Sequence, residues 1–304
     1  MAKFIMLIGL PGSGKSYIAE KTKAKMKSVL VVSSDEIRKE LFGDENDQQN
    51  PERVFETMRE RTFNALKDGI DVIYDATNIR RKYRRALLRS LPNCEKIAYV
   101  VWSRYDLCVK RDAERNRTVG EPVIKKMLLG FQPPFYDEGW DKIEVDHNGK
   151  LYTQSDYEDW MNCDHDNPHH NNTVGVHTQQ VCDEAFKLSY DALNDEKYST
   201  ALTNMIVLFA AAMHDTGKKF TKTFTNFKGE TTEIAHYYDH HNVSSYYTLG
   251  FEKLMTMSIE ERLLIAWLVN VHMEPFFNSK YYKNLKPDLK SLVDALHSCD
   301  VKGA

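Results

Sequence analysis

Gly9-Leu10-Pro11-Gly12-Ser13-Gly14-Lys15-Ser16 follows the pattern G-x-x-x-x-G-K-[ST], and each position has a chemical reason. Backbone N–H groups around Gly12, Ser13 and Gly14 can close on phosphate oxygens. Lys15 can reach the β- and γ-phosphates, and the Ser16 hydroxyl can ligate Mg²⁺. The expected ligand is ATP or another nucleoside triphosphate with Mg²⁺. Three further groups have the chemistry to act beside a bound triphosphate. In Ser33-Ser34-Asp35-Glu36-Ile37-Arg38 a carboxylate and a guanidinium stand one helical turn apart; Asp35 could accept a proton from an attacking hydroxyl and Arg38 could hold an acceptor phosphate. The competing reading is a helix N-cap followed by a surface arginine. Asp75-Ala76-Thr77-Asn78 could support Mg²⁺ through Asp75 by way of water and touch the acceptor through Thr77 or Asn78, against the alternative of a plain strand-end turn. Arg111, Arg115 and Arg117 could neutralise charge developing during phosphoryl transfer, though single arginines are more often solvated. The run from Arg80 to Arg85 reads either as a polynucleotide track or as an exposed basic helix.

A second set of residues points to metal. His214-Asp215 follows the apolar run Met205–Met213, and a nitrogen and a carboxylate side by side at a buried helix end can share one divalent ion. His177, His240, His272 and Asp300 lie at or within other predicted helices, whose ends antiparallel packing could gather on one side. Lys218 lies four residues beyond His214. His236 and His241 fit the pattern less well, His170 reads equally as a substrate contact or a loop residue, and Asp294 competes with Asp300.

The elements that must position these residues differ between the two halves. Apolar runs at Phe4–Leu10, Val29–Ser33, Val72–Tyr74 and Ile97–Trp102 alternate with segments of helical spacing such as Arg53–Lys67, which predicts a parallel α/β sheet with helices on both faces. Functional residues then belong beyond the carboxyl ends of the strands. The Pro133-Pro134 pair and the polar stretch Asp137–Asp166 break the alternation, giving expected domains of 1–150 and 160–304. Helical patterns at Thr178–Ala192, Ser199–Met213, Ile259–His272 and Leu289–Val301 predict an all-α second half.

Charge divides the same way. Residues 1–150 hold 28 Lys and Arg against 23 Asp and Glu, and the remainder 13 against 21. Ten of the eleven histidines follow residue 150. A mildly basic half suits phosphate-bearing ligands, and a His- and Asp-rich half suits metal. The 304-residue chain has five scattered cysteines, which argues against a disulfide framework and for a reducing setting. No apolar run reaches the ~20 residues of a membrane span, and Phe4–Leu10 is too short for a signal-peptide core. The expectation is a cytoplasmic protein of a bacterial or phage-infected cell, without a membrane partner. Nothing in the sequence specifies an oligomeric state.

Taken together, the Lys15-Ser16 loop, the Ser-Asp-x-x-Arg segment, the strand-end Asp-Ala-Thr-Asn and the arginines before Val119-Gly120-Glu121-Pro122-Val123-Ile124 resemble the kinase module of phage polynucleotide 5′-kinases over roughly residues 1–143. The resemblance implies that Asp35 is the general base for a 5′-hydroxyl, that Arg38 contacts the phosphate beside the acceptor nucleoside, and that Arg115 or Arg117 is a lid residue over the donor phosphates. The arginine spacing departs from that family's pattern. In the second half, Asn167-Pro168-His169-His170 through Val176-His177, Asp239-His240-His241-Asn242 and Asp300 before Val-Lys-Gly-Ala resemble the all-α HD phosphohydrolase superfamily. This likeness implies that His177, His214, Asp215 and Asp300 form a basic metal set, that His240 and His272 complete a two-metal site for ions such as Mn²⁺, Ni²⁺ or Fe²⁺, and that Lys218 faces a substrate phosphate.

The pairing implies healing of broken polynucleotide ends, RNA rather than DNA. The first domain would phosphorylate a 5′-OH and the second would remove a 3′-phosphate or 2′,3′-cyclic phosphate, leaving ends for a ligase. The alternatives are a small-metabolite kinase fused to a nucleotide phosphohydrolase, or an HD domain acting as a nucleotide-binding regulatory module.

Overall fold

The computed structural model describes residues 1–115, 118–167, 172–188 and 200–303. The chain divides into two compact units, one of residues 1–127 with 134–150 and the other of 128–133 with 151–304.

In the first unit β1 (Lys3–Ile8), β2 (Val29–Ser33), β3 (Asp71–Asp75), β4 (Glu95–Trp102) and β5 (Lys142–His147) form a sheet in the order β2-β3-β1-β4-β5. All four pairings are parallel. The helices are α1 (Lys15–Lys23), α2 (Ser34–Phe42), α3 (Pro51–Lys67), α4 (Arg81–Ser90), α5 (Tyr105–Ala113) and α6 (Glu121–Leu129). β1, at the centre, is buried from Phe4 to Ile8, as a strand covered on both faces must be. Ile5 and Leu7 pack with Ile73, Ile97 and Val101, and with Ile18 and Ala19 of α1. Buried side chains of this size contribute about 1.5–3 kcal/mol each, so the strand that leads into the glycine loop is held firmly.

β5 lies inside the polar stretch expected to end the first domain. Its sequence, KIEVDH, buries only Ile143 and lacks the apolar run that marked the other four. Residues 128–133 cluster with the second unit rather than the first. The Phe131 ring meets Tyr246 edge-on at 4.9 Å, and Leu129 O accepts a 2.7 Å bond from Asn242 Nδ2.

The second unit holds α7 (Gln154–Met161), α8 (Val174–Lys187), α9 (Thr200–Met213), α10 (Lys218–Thr221), α11 (His240–Leu249), α12 (Ile259–Val271), the short α13 (Glu274–Phe277) and α14 (Lys280–Lys283), and α15 (Pro287–Lys302). α9 packs on α8, α12 and α15, and α11 on α12. Starts are set by side-chain caps. Thr173 Oγ1 accepts from Val176 N at the head of α8, and Ser258 and Glu261 form a capping box on α12. The unit is not wholly α-helical. β6 (Thr223–Thr225) and β7 (Thr231–His236) form an antiparallel hairpin, whose Thr-rich strands carry too little apolar alternation to be read from sequence. Among the described residues no helix is long and apolar enough to cross a membrane.

Candidate active sites

β1 ends in the middle of the sheet, so Gly9–Gly14 emerges at the carboxyl edge between the ends of β3 and β4. Two of its glycines are required by their surroundings. A Cβ on Gly12, at φ +78°, would lie 2.2 Å from Cys108 O; one on Gly14, at φ +103°, would lie 2.2 Å from Asn148 Nδ2. Asn148 donates from Nδ2 to Ser13 O at 2.8 Å. Arg111, one of the three arginines that could neutralise transferring charge, instead supports this contact, bonding Asn148 O at 3.2 Å and Ser103 Oγ at 3.3 Å. Asn148 sits 135 residues from Ser13, and no local signal marks it.

Lys15 folds back over the loop, its Nζ donating to Leu10 O at 2.9 Å. Burial lowers its pKa, against the opposing pull of Asp75. Ser16 Oγ lies 3.4 Å from Asp75 Oδ2. Burial raises the Asp75 carboxyl above its usual range, although Lys15 draws it down. A hydroxyl beside a carboxylate whose charge burial penalises fits a hard cation such as Mg²⁺, which takes oxygen ligands and would relieve that cost. Asp35 and Arg38 form an ion pair at 2.8 Å at the start of α2, with Arg38 buried and Asp35 half-exposed. Ser33 and Asp75 are paired in the register of β2 and β3, which sets Asp35 and Asp75 at the ends of neighbouring strands. Arg115 is exposed and close enough for its charge to act on Lys15; Arg117 lies outside the described residues.

Two expectations change. Asn78, expected to touch a ligand, takes φ +51° and turns its amide inward, donating to Leu7 O at 2.7 Å and Ala76 O at 3.2 Å. It braces the base of the loop. The basic run on α4 is not a continuous exposed track, because Arg84 is 1 % exposed and Arg81 is also buried. Arg84 makes a bidentate pair with Glu138, Nε to Oε2 at 2.8 Å and Nη2 to Oε1 at 2.6 Å, and its Nη1 donates to Asn78 O at 3.0 Å.

In the second unit His177 lies in the first turn of α8, His214-Asp215 follows α9, His240 opens α11, His272 closes α12 and Asp300 lies near the end of α15. The four rings share one device. Each Nδ1 faces a backbone carbonyl: Gly303 O at 3.1 Å for His177, Ala211 O at 2.7 Å for His214, Tyr237 O at 2.9 Å for His240 and Val269 O at 2.7 Å for His272. A carbonyl only accepts, so each Nδ1 carries a proton and each ring turns its Nε2 into the cluster.

Those nitrogens converge. The Nε2 atoms of His177 and His214 are 3.4 Å apart, and those of His240 and His272 3.2 Å. Asp215 joins both pairs, with Oδ2 3.3 Å from His214 and 3.5 Å from His177, and Oδ1 3.3 Å from His240. Asp300 Oδ1 adds to the first pair, 3.1 Å from His177 and 3.4 Å from His214. Lone pairs pointing at each other repel unless a cation or proton lies between them. The arrangement therefore fits divalent metal, with His177, His214 and Asp215 as one triad and Asp215, His240 and His272 as the other.

Lys218 Nζ lies 2.6 Å from Asp215 Oδ2 and 3.2 Å from His165 Nε2. His165 was not picked out by sequence, yet it is buried and edge-on to His177 at 5.7 Å. Asp294 is exposed and accepts a hydrogen bond from Tyr282. His236 stacks on Tyr238, and His241 meets the rings of His240 and His272 at 5.8 and 6.3 Å between centroids. His170 lies outside the described residues.

Residues 4–134 match the protein family described as an AAA domain. An L-seryl-tRNA(Sec) kinase of Methanococcus maripaludis is 29% identical over 166 residues, covering 52% of this chain and 63% of that protein. Among solved structures, a chain of the Pnkp1/Rnl/Hen1 complex is 27% identical over 36% of this chain and 38% of its own, with a TM-score of 0.34. A fungal RNA kinase is 16% identical over 49% and 74%, with a TM-score of 0.36. The chain thus spans less than two thirds of the archaeal relative. With its parallel sheet, glycine loop and match to the AAA domain, the first unit is a P-loop kinase-like domain, a fold that implies a nucleotide and Mg²⁺.

Proposed function

We propose that the chain heals polynucleotide ends, with the first unit as a 5′-hydroxyl kinase and the second as a metal-dependent phosphoesterase of the HD type. The observation that carries this reading is the convergence of the Nε2 atoms of four histidines on Asp215, in a chain that also holds a triphosphate loop. In the first unit Asp35 takes the proton of the acceptor hydroxyl, whose oxygen bonds to the γ-phosphorus as the bond to the leaving nucleoside diphosphate breaks. Lys15 and Arg115 meet the charge on the donor phosphates, and Arg38 anchors the acceptor. The archaeal relative is named for a kinase of a tRNA-borne seryl group, which supports an RNA acceptor.

In the second unit His177, His214, Asp215 and Asp300 would hold one divalent cation, and Asp215, His240 and His272 the other. Bound cations would supply a hydroxide at neutral pH and stabilise charge on the phosphoryl oxygens. Lys218, held between Asp215 and His165, places a positive charge beside both sets for an incoming phosphate. The product ends suit a ligase.

The test is one incubation: RNA with a 5′-OH and a 3′-phosphate, γ-labelled ATP, Mg²⁺, and Mn²⁺ or Ni²⁺. Label at the 5′ end and free phosphate from the 3′ end are expected. Absence of 5′ label on every oligonucleotide, with transfer to a small metabolite, would replace the polynucleotide reading with a metabolite kinase. An untouched 3′ phosphate or cyclic phosphate would remove end healing from the second unit.

A further inference from the structure

The hairpin β6–β7 carries an aromatic series that none of the chemistry above uses. His236 lies parallel to Tyr238, with ring centroids 5.3 Å apart and planes 8° from parallel. Phe227, in the turn between the strands, lies 3.9 Å from Tyr238 between centroids, with the planes 43° apart. Phe227 is 87% exposed, and Phe224 and Ile234 on the same hairpin are each 41% exposed.

The turn is braced. Asn226 Oδ1 accepts from Lys228 N at 2.9 Å and Glu230 N at 3.0 Å, Asn226 N donates to Glu230 O at 2.9 Å, and Gly229 takes φ +83°. His236 is fixed by a 3.1 Å contact of its Nε2 with Thr232 Oγ1. Phe227, Phe224 and Ile234 together give this one hairpin several exposed apolar side chains, and a group of them, unlike a single exposed ring, is the kind of surface that marks a binding site.

The series lies close along the chain to the metal-type cluster. Tyr238 is two residues from His240, so their Cα atoms are at most about 7.6 Å apart. Its neighbour Tyr237 lies under Lys218, 5.5 Å from Nζ to the ring centroid, and donates a hydrogen bond to His165 O. A strand whose terminal phosphate lies at the cluster would therefore carry its next unpaired bases along these rings.

We propose that His236, Tyr238 and Phe227 form a stacking platform for the unpaired nucleotides next to the 3′ end of the substrate, with Phe227 as its outer surface. This rests on the end-healing reading above and names how that site selects a polynucleotide. Every base has a π face, so the platform is tolerant of sequence, and one stacked base carries enough energy to move affinity about tenfold.

The test uses the full chain loaded with Mn²⁺ and two substrates, a single-stranded RNA 3′-phosphate and p-nitrophenyl phosphate. Phe227→Ala and Phe227→Leu should each raise KM for the RNA about tenfold and leave the small substrate unchanged, whereas Phe227→Trp should keep the wild-type KM. The Trp variant's fluorescence should also be quenched by the RNA and not by an abasic oligomer of equal charge. Equal RNA kinetics in wild type and Phe227→Ala would overturn the platform while leaving end healing intact. Leu behaving like wild type would assign the ring to an apolar protein contact and overturn it too. If wild type processes no RNA 3′ end, the underlying reading fails instead.

Discussion

Asp215 places Oδ1 3.3 Å from His240 Nε2 while its other oxygen faces His177 and His214, so one carboxylate belongs to both triads. A carboxylate shared by both triads cannot be lost from one alone. Asp215→Asn should lower bound metal from two ions per chain to fewer than one, measured by elemental analysis after gel filtration. Phosphoesterase activity should fall by at least about 10²-fold, with 5′-phosphorylation retained. His272→Ala touches only the second triad and should leave one ion in place.

The same cluster makes a prediction about pH. Burial opposes a charge on His214, but Asp215 and Asp300 outweigh it and push its pKa up to about 10. A folded pKa above the unfolded value gives stability that is complete below the unfolded value, ~6.5, and is lost as pH rises through about 10. The metal-free chain should therefore lose thermal stability between pH 7 and 10. A metal ion takes the place of that proton, so affinity should rise with pH over the same window. Calorimetry of Mn²⁺ binding in two buffers of different ionisation heat should show proton release; no release would mean that His214 is already neutral.

The residues that could be read from sequence are those whose chemistry is local. Gly9–Ser16 carries its own motif, and β1 to β4 announce themselves by apolar runs, which burial imposes on the inner strands β1 and β3. The edge strand β2 buries only Val32 yet keeps the run VLVVS, whereas β5 was hidden by the charged residues of KIEVDH and the β6–β7 hairpin by its threonines. Arg84 reads as surface in any local window, since its partner Glu138 lies 54 residues further on. The His and Asp residues of the second unit are visible as types, but only helix packing makes their Nε2 atoms meet. His165 has no motif at all, and its place beside Lys218 follows from the fold alone.

Asn148 tests how far the glycine loop depends on a distant brace. Its bond to Ser13 O fixes the apex around which the loop's amides are aimed. Asn148→Ala removes one hydrogen bond, worth about 1 kcal/mol net, and frees the loop to sample other conformations. The expected result is a several-fold rise in KM for ATP with a smaller change in kcat. The phosphoesterase activity proposed for the second unit serves as the internal control and should be unchanged. Equal loss of both activities would point to unfolding rather than to the loop.

The buried Arg84–Glu138 pair makes the strongest stability prediction. Neither side chain is exposed, and Trp140 Nε1 also donates to Glu138 Oε2 at 3.3 Å. Glu138→Gln leaves the Arg84 charge uncompensated in the interior, which costs about 3–5 kcal/mol. Replacing both partners with apolar residues, Arg84→Met with Glu138→Leu, removes the Arg84 charge and should recover part of that loss, while buried Arg81, 3.9 Å from Glu138 Oε1, still loses this carboxylate. Recovery will be incomplete, because Arg84 Nη1 also holds Asn78 O, and Asn78 braces the carbonyl of Leu7. Urea titrations of the single and double variants give the comparison, with ATP affinity measured alongside. A double variant as unstable as Glu138→Gln would show that the hydrogen bonds, and not the buried charge, dominate at this position. If instead stability returns while ATP binding stays weak, the pair's separate role is to hold the Asn78 turn beneath the phosphate loop.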